Sequence, residues 1–142
     1  MYLLDTNVLS ETMKPRPAKA LAAWMRAQPA ASLFTAAMCQ AEILAGIAVL
    51  PDGRRRTELA AMASAIFEQD FAGRVLPFDD RAAPSYAELF ARRRQLGRPI
   101  EVPDLIVAAV AHAHRAAIVT RDAGGFEGCG LIIIDPWQAQ EP

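Results

Sequence analysis

The sequence predicts an α/β sandwich: a central parallel sheet covered by helices on both faces. Five short apolar runs alternate with longer segments of helical periodicity, and clusters of Pro, Gly and Asp punctuate them. The 142 residues suit one domain, 1–142. A chain of that length buries about two thirds of its unfolded surface. A hydrophobic content of 53% against 22% charged residues is that of a packed globular chain.

Residues 2–4 form a first strand, ended by Asp5-Thr6-Asn7 and followed by a helix to about Met13. Pro15 and Pro17 break the chain before a helix over 18–27, and residues 32–34 form the second strand. Thr35 is the expected N-cap of a long helix through Leu50, which Pro51-Asp52-Gly53 stops. Over 54–71 the spacing of Leu59, Met62, Ala63, Ile66 and Phe67 predicts a helix with those residues on one side. Residues 74–78 form a third strand, after which Asp79 or Asp80 caps a helix to about Leu96. In that helix Tyr86, Leu89 and Phe90 face inward and arginines 92–94 lie toward the C-terminal end, where cations suit the dipole. Gly97 and Pro99 close it, and Pro103 opens a helix to about Arg115. Residues 117–120 and 131–134 are the fourth and fifth strands, the last ended by Asp135-Pro136.

A formal charge of −1 gives no overall basic field, so any nucleic-acid binding relies on local clusters and on metal ions. Cys39 and Cys129 lack metal-ligand spacing, and reduced thiols are expected. The N-terminal run has no signal-peptide pattern and no apolar run reaches membrane-spanning length, so the expectation is a cytoplasmic protein without a membrane partner.

Four carboxylates carry the chemistry. Asp5 and Asp122 each follow an apolar strand, at the carboxyl edge where open α/β sheets bind ligands. Taken singly, either is also an ordinary turn residue or helix N-cap. Glu42 sits in a helix whose residues Ala36, Ala37, Met38, Ala41, Ile43, Leu44, Ala45, Ile47 and Ala48 leave almost no polar face. A carboxylate among such neighbours is costly unless paired, protonated or bound to a cation, and a salt bridge to an arginine is the plainer alternative. Asp104 precedes an apolar face of Val107, Ala108 and Ala111, where its plainer role is a favourable charge at a helix N-terminus. Carboxylates gathered in one shielded site repel unless some are protonated or a cation neutralises them. Oxygen ligands without His or Cys select Mg²⁺ or Mn²⁺, whose shell phosphate oxygens complete, so the expected substrate is a phosphodiester.

His112 and His114 stand two apart, on different helix faces, and read as surface or packing residues without a serine or cysteine partner for triad chemistry. The arginines at 54–56 and 92–94, with Arg98, either track a nucleic-acid backbone or form solvated helix faces.

The segments LLDTNVLSE at 3–11, AEILAG at 41–46, PDLIVAAVA at 103–111 and IVTRD at 118–122 resemble the PIN-domain ribonucleases over nearly the whole chain. RVLPFD at 74–79 and IIDPW at 133–137 are similar to the VapC and FitB type of toxin from bacterial toxin–antitoxin pairs. The resemblance implies a Rossmann-like α/β/α domain, a homodimer, a Mg²⁺ or Mn²⁺ site and endonucleolytic cleavage of RNA. Asp5, Glu42 and Asp104 fall on the family's acidic positions, and Asp122 takes a place that is Asn in many members, with Gly125 where those members carry Asp.

The expected mechanism has Asp5, Asp104 and either Glu42 or Asp122 holding metal that activates water for in-line attack, with Thr6, Asn7 and Thr120 fixing the carboxylates. An antitoxin is the implied partner, with operator DNA bound only through it. A catalytically weak PIN-like binding module for RNA or a partner is the rival reading. A dehalogenase-like phosphatase ranks lower, since it needs a second Asp where Asn7 stands.

Overall fold

The computed structural model describes residues 1–138. Its five strands are β1 (Tyr2–Leu4), β2 (Leu33–Ala36), β3 (Val75–Leu76), β4 (Ala117–Val119) and β5 (Ile133–Ile134). All pair in parallel, in the order β3-β2-β1-β4-β5. The chain thus winds outward from β1 through β2 to β3, then returns to the other side of β1 to lay down β4 and β5. This reversal makes the gap between β1 and β4 the topological switch point, where a crevice opens at the strand carboxyl ends.

The helices are α1 (Thr6–Thr12), α2 (Lys19–Ala27), α3 (Ala37–Ala48), α4 (Arg54–Ala65), α5 (Ala82–Gln95), α6 (Val102–Ala113) and the one-turn α7 (Ala123–Phe126). They supply the crossovers that parallel strands require. The core gathers on β1 and β4, with Leu3, Leu4, Ile118 and Val119 fully buried against Val8, Leu21, Leu89 and Leu105. α6 enters this core most deeply, for Leu105 and residues 107–111 are all buried.

Several local expectations are revised. Thr35 lies inside β2, where its buried Oγ1 donates to the Leu4 carbonyl at 2.9 Å, and α3 begins after Ala36 without a side-chain cap. Ser32 closes a 3₁₀ turn instead of opening the strand. The third strand keeps only Val75 and Leu76. Arg74 before it bonds the carbonyls of Ala30, Leu33 and Asp70, tying three segments together. α4 ends at Ala65 and runs into a π turn over Ile66–Asp70. Asp79 accepts from the N–H groups of Arg81 and Ala82 at the start of α5. Phe90, expected inward, is exposed, whereas Arg93 in the same helix is buried. α7 was not legible as a helix, being a single turn of Ala-Gly-Gly-Phe.

Candidate active site

Asp5 leaves β1 in an extended conformation and caps α1, its Oδ1 accepting the Thr6 N–H at 2.8 Å. Its Oδ2 accepts the Thr120 hydroxyl at 2.9 Å and the Asn7 amide at 3.4 Å. Thr120, the residue after β4, is fully buried. Its oxygen donates once and accepts twice, from Asn7 Nδ2 at 3.1 Å and from the Asp122 N–H at 3.1 Å, which exhausts a hydroxyl's capacity. Asn7 completes the lattice by accepting the Arg121 N–H at 3.1 Å. The carboxyl ends of β1 and β4 are thereby bolted to each other and to Asp5.

Glu42 projects from α3 and accepts the Thr6 hydroxyl at 2.9 Å, so its partner is a hydroxyl and not an arginine. Asp104 stands in the first turn of α6 and accepts no hydrogen bond from the described residues. Asp122 caps α7, accepting the Gly125 N–H at 3.3 Å. A Cβ on Gly125 would meet an Asp122 carboxylate oxygen at 2.6 Å, so glycine there leaves room for that carboxylate. All four acids line one open cavity of about 440 Å³ at the switch point, with Thr6 and Asn7.

Burial pushes the Asp5 carboxyl up to about 6, further raised by the charges of Asp104 and Glu42 and opposed by the Thr6 and Thr120 hydrogen bonds. Asp104 is raised by burial and then by the carboxylates of Glu42 and Asp122. Among the described residues no three acidic, His or Cys side chains draw close enough to enclose an ion by themselves. An oxygen-only set of this openness suits a hard cation of the Mg²⁺ type, which takes one or two carboxylates and keeps water or phosphate oxygens for the rest. The buried Cys39 thiol, with Sγ 4.0 Å from Asp5 Oδ1, is pushed up to about 11 by burial and stays protonated. Both cysteines are free.

Sequence reasoning missed the cations at this cavity. Lys14 and Arg121 line it along with Glu11 and Trp137, and Lys14 pairs with Glu11 at 2.7 Å. The i, i+3 spacing of Glu11 and Lys14 was the available signal. The arginine clusters are used elsewhere: Arg54 pairs with Glu58, Arg56 with Asp52, Arg92 with Glu88 and Arg98 with Glu127. Arg93, 5% exposed, donates through Nε to the Arg98 carbonyl at 2.6 Å and through Nη1 to the Gly125 carbonyl at 2.7 Å. It thus holds α7, the segment that follows Asp122, against α5. Gly128 and Gly130, both at positive φ, let the chain beyond α7 approach α5, since a Cβ would meet Leu96 at 2.8 Å or Arg92 at 2.5 Å.

His112 does have a serine neighbour, which sequence spacing did not reveal: Ser85 Oγ lies 2.8 Å from His112 Nδ1 in a packing contact, not one set up for triad chemistry. Ser85 is buried within α5 and His112 lies on α6, so the bond joins two helices and presents no hydroxyl to a substrate.

Fold and site together define a class: α/β/α domains that gather acidic side chains at the switch point of a parallel sheet. The chain belongs to the PIN-domain family, whose model matches residues 2–127. It is 43% identical over 97% of its length, and 99% of the relative's, to the VapC ribonuclease Y4jK of Sinorhizobium fredii. Toxin FitB of Neisseria gonorrhoeae is 34% identical over 96% of this chain and 99% of its own. A solved structure of FitAB bound to an IR36 DNA fragment superposes with a TM-score of 0.89 at 31% identity, covering 99% of both chains.

Proposed function

We propose that this protein is a metal-dependent endoribonuclease, the toxin of a type II toxin–antitoxin pair, acting in the cytoplasm. The observation that carries the reading is the convergence of Asp5, Glu42, Asp104 and Asp122 on one cavity, with Asp5 and Asp104 held above the ordinary carboxylate range. Such a site gains by taking up a divalent cation, because the cation offsets the burial that chiefly lifts those carboxyls and the mutual repulsion that adds to it. The similarity to a VapC ribonuclease and to toxin FitB supports RNA as substrate and toxin as role.

In this mechanism Asp5, Asp104 and either Glu42 or Asp122 would hold Mg²⁺ or Mn²⁺, directly or through water, and that ion would supply Lewis-acid chemistry: a water made more acidic, and neutralisation of the charge that develops on the phosphoryl and departing oxygens. Thr120 and Asn7 keep Asp5 Oδ2 fixed, the Thr6 N–H holds Oδ1 and the Thr6 hydroxyl holds Glu42, so these two carboxylates need no rearrangement when substrate arrives. Arg93 fixes the backbone just beyond Asp122 through the Gly125 carbonyl.

A groove beside the acidic cavity supports the antitoxin as partner. Met13, Ile43, Ile47, Leu50 and Leu59 line its apolar walls, Arg55 stands on it, and Thr6 and Glu42 are common to groove and cavity. A segment lying there reaches the carboxylates with one basic side chain. Operator DNA is bound through the antitoxin in this reading, in keeping with the DNA-bound FitAB complex, and the chain works as a homodimer. No helix among the described residues is long and apolar enough to cross a membrane.

The test is cleavage of total RNA by purified, antitoxin-free protein with Mn²⁺ or Mg²⁺, against chelator and Asp104→Asn controls. Discrete fragments absent from both controls are expected. Full cleavage by Asp104→Asn, or cleavage that survives chelation, would overturn the mechanism. Absence of both cleavage and Mn²⁺ binding would favour a binding module instead.

A further inference from the structure

Two cations line the acidic cavity, and their circumstances differ. Lys14 is neutralised by Glu11 at 2.7 Å, and Glu11 is itself held by the Ala18 N–H at 3.1 Å. Arg121 forms no ion pair with the described residues, and its guanidinium carbon lies 5.2 Å from the centre of the Trp137 ring. The backbone beneath each end of that contact is anchored. The main-chain N–H of Arg121 donates to Asn7 Oδ1 at 3.1 Å, in the network that fixes Asp5, and the main-chain N–H of Trp137 donates to Asp135 Oδ1 at 2.9 Å beside the buried Pro136. An exposed arginine ordinarily samples many rotamers; an indole under its face restricts it and leaves the in-plane N–H donors free.

A polynucleotide brings more than one phosphate to such a cavity. The phosphate that is cleaved sits at the carboxylates, with their cation, but its neighbour meets a rim that is net acidic unless a cation receives it. Of the residues lining the cavity, Arg121 is the base that makes no ion pair with a carboxylate of the described residues; Glu11, paired to Lys14, feels its charge only as the weakest of several influences. The planar fork of Arg121 matches two phosphate oxygens.

We propose that Arg121 binds the RNA phosphate adjoining the one that is cleaved, and that Trp137 is the positioning residue that holds the guanidinium toward the cavity. The inference rests on the nuclease reading given above. It also accounts for a chain of charge −1 engaging RNA without a basic face, since in the arginine clusters elsewhere Arg54, Arg56, Arg92 and Arg98 are taken up by local ion pairs and Arg93 by internal bonds, which leaves Arg55 and Arg94 outside the acidic cavity.

The experiment compares the wild-type protein with Arg121→Gln, Arg121→Lys and Trp137→Leu in three measurements. These are steady-state cleavage of a single-stranded RNA oligonucleotide with Mn²⁺ over a salt series, anisotropy of the same oligonucleotide with Ca²⁺ in place of Mn²⁺, and Mn²⁺ affinity by calorimetry. Arg121→Gln is expected to raise KM and weaken binding about tenfold, to lower the slope of log affinity against log salt by about one, and to leave kcat and Mn²⁺ affinity unchanged. Arg121→Lys keeps the salt slope and recovers part of the affinity, and Trp137→Leu costs about threefold in KM with the slope intact. An unaltered salt slope and KM in Arg121→Gln, in a wild-type background that cleaves, overturns the inference alone. Loss of Mn²⁺ affinity in Arg121→Gln also overturns it, by making Arg121 a support of the carboxylates. A wild-type protein that neither binds nor cleaves RNA overturns the nuclease reading first.

Discussion

Asp5 shows what one side chain gives up to serve a site. Its carboxyl is buried beside two other acids, so the folded protein holds that proton up to about 6 where an unfolded chain releases it near 3.8. Between those values the folded state binds more protons than the unfolded state, and stability therefore falls as pH rises through the window. The difference amounts to about 3 kcal/mol for the metal-free protein. With a chelator present, the urea midpoint is expected to drop as pH rises from about 4 to about 6.5, and saturating Mn²⁺ to abolish most of the drop; a midpoint that rises would contradict the assignment. Asp104 is lifted in the same direction but accepts no hydrogen bond from the described residues. Asp104→Asn accordingly removes repulsion without breaking a bond, so the metal-free variant should melt no lower than the wild type at pH 7 while losing cleavage. A melt several degrees lower would show that Asp104 supports the fold.

At the scale of elements, α5, α6 and α7 depend on polar bonds that helix periodicity conceals. Arg93 replaces an ion pair with bonds from its guanidinium to two carbonyls, and a Met there leaves the Gly125 and Arg98 carbonyls without that donor. Arg93→Met is expected to cost about 2 kcal/mol. It should also raise amide exchange over residues 123–130 and depress kcat more than Mn²⁺ affinity. Lysine cannot serve both carbonyls with the same geometry, so Arg93→Lys should fail to restore protection. The Ser85 to His112 bond belongs to the same scale. Ser85→Ala is expected to destabilise by about 1 kcal/mol and to leave RNA cleavage intact, and a loss of cleavage in a folded variant would give the pair a chemical role after all.

The whole molecule is organised by one parallel sheet whose central strand is also where the site begins. β1 pairs on both sides, with β2 and β4, and Leu3 and Leu4 are fully buried immediately before Asp5. The strand at the centre of the core therefore also fixes the position of the first carboxylate. Leu3→Ala is expected to cost about 3 kcal/mol through lost transfer energy and an unfilled cavity. Because the cavity is bounded by β1 and β4, that variant should weaken Mn²⁺ binding at temperatures where it is still folded, as a thermal series of metal titrations would register.

The sequence by itself determined the alternation of strands and helices, and with it a parallel sheet, because apolar runs and their breaks are local properties of the chain. It also marked Asp5 and Asp122 by their places at the carboxyl ends of strands, Asp104 by the apolar helix it opens, and Glu42 by an apolar helix that offers it no polar face, all of which can be read without coordinates. Tertiary structure alone decided which partners resolved the other polar groups. Thr35 looked like a cap and became a cross-strand donor to Leu4, Arg93 looked solvated and became an internal brace, and Ser85 found His112 from 27 residues away. Arg121 and Trp137 met across the mouth of the cavity in the same way. The physical reason is common to these cases. Burying an apolar face depends on periodicity within one segment, whereas a hydrogen bond or a guanidinium–ring contact depends on two segments that come together only after the sheet has formed.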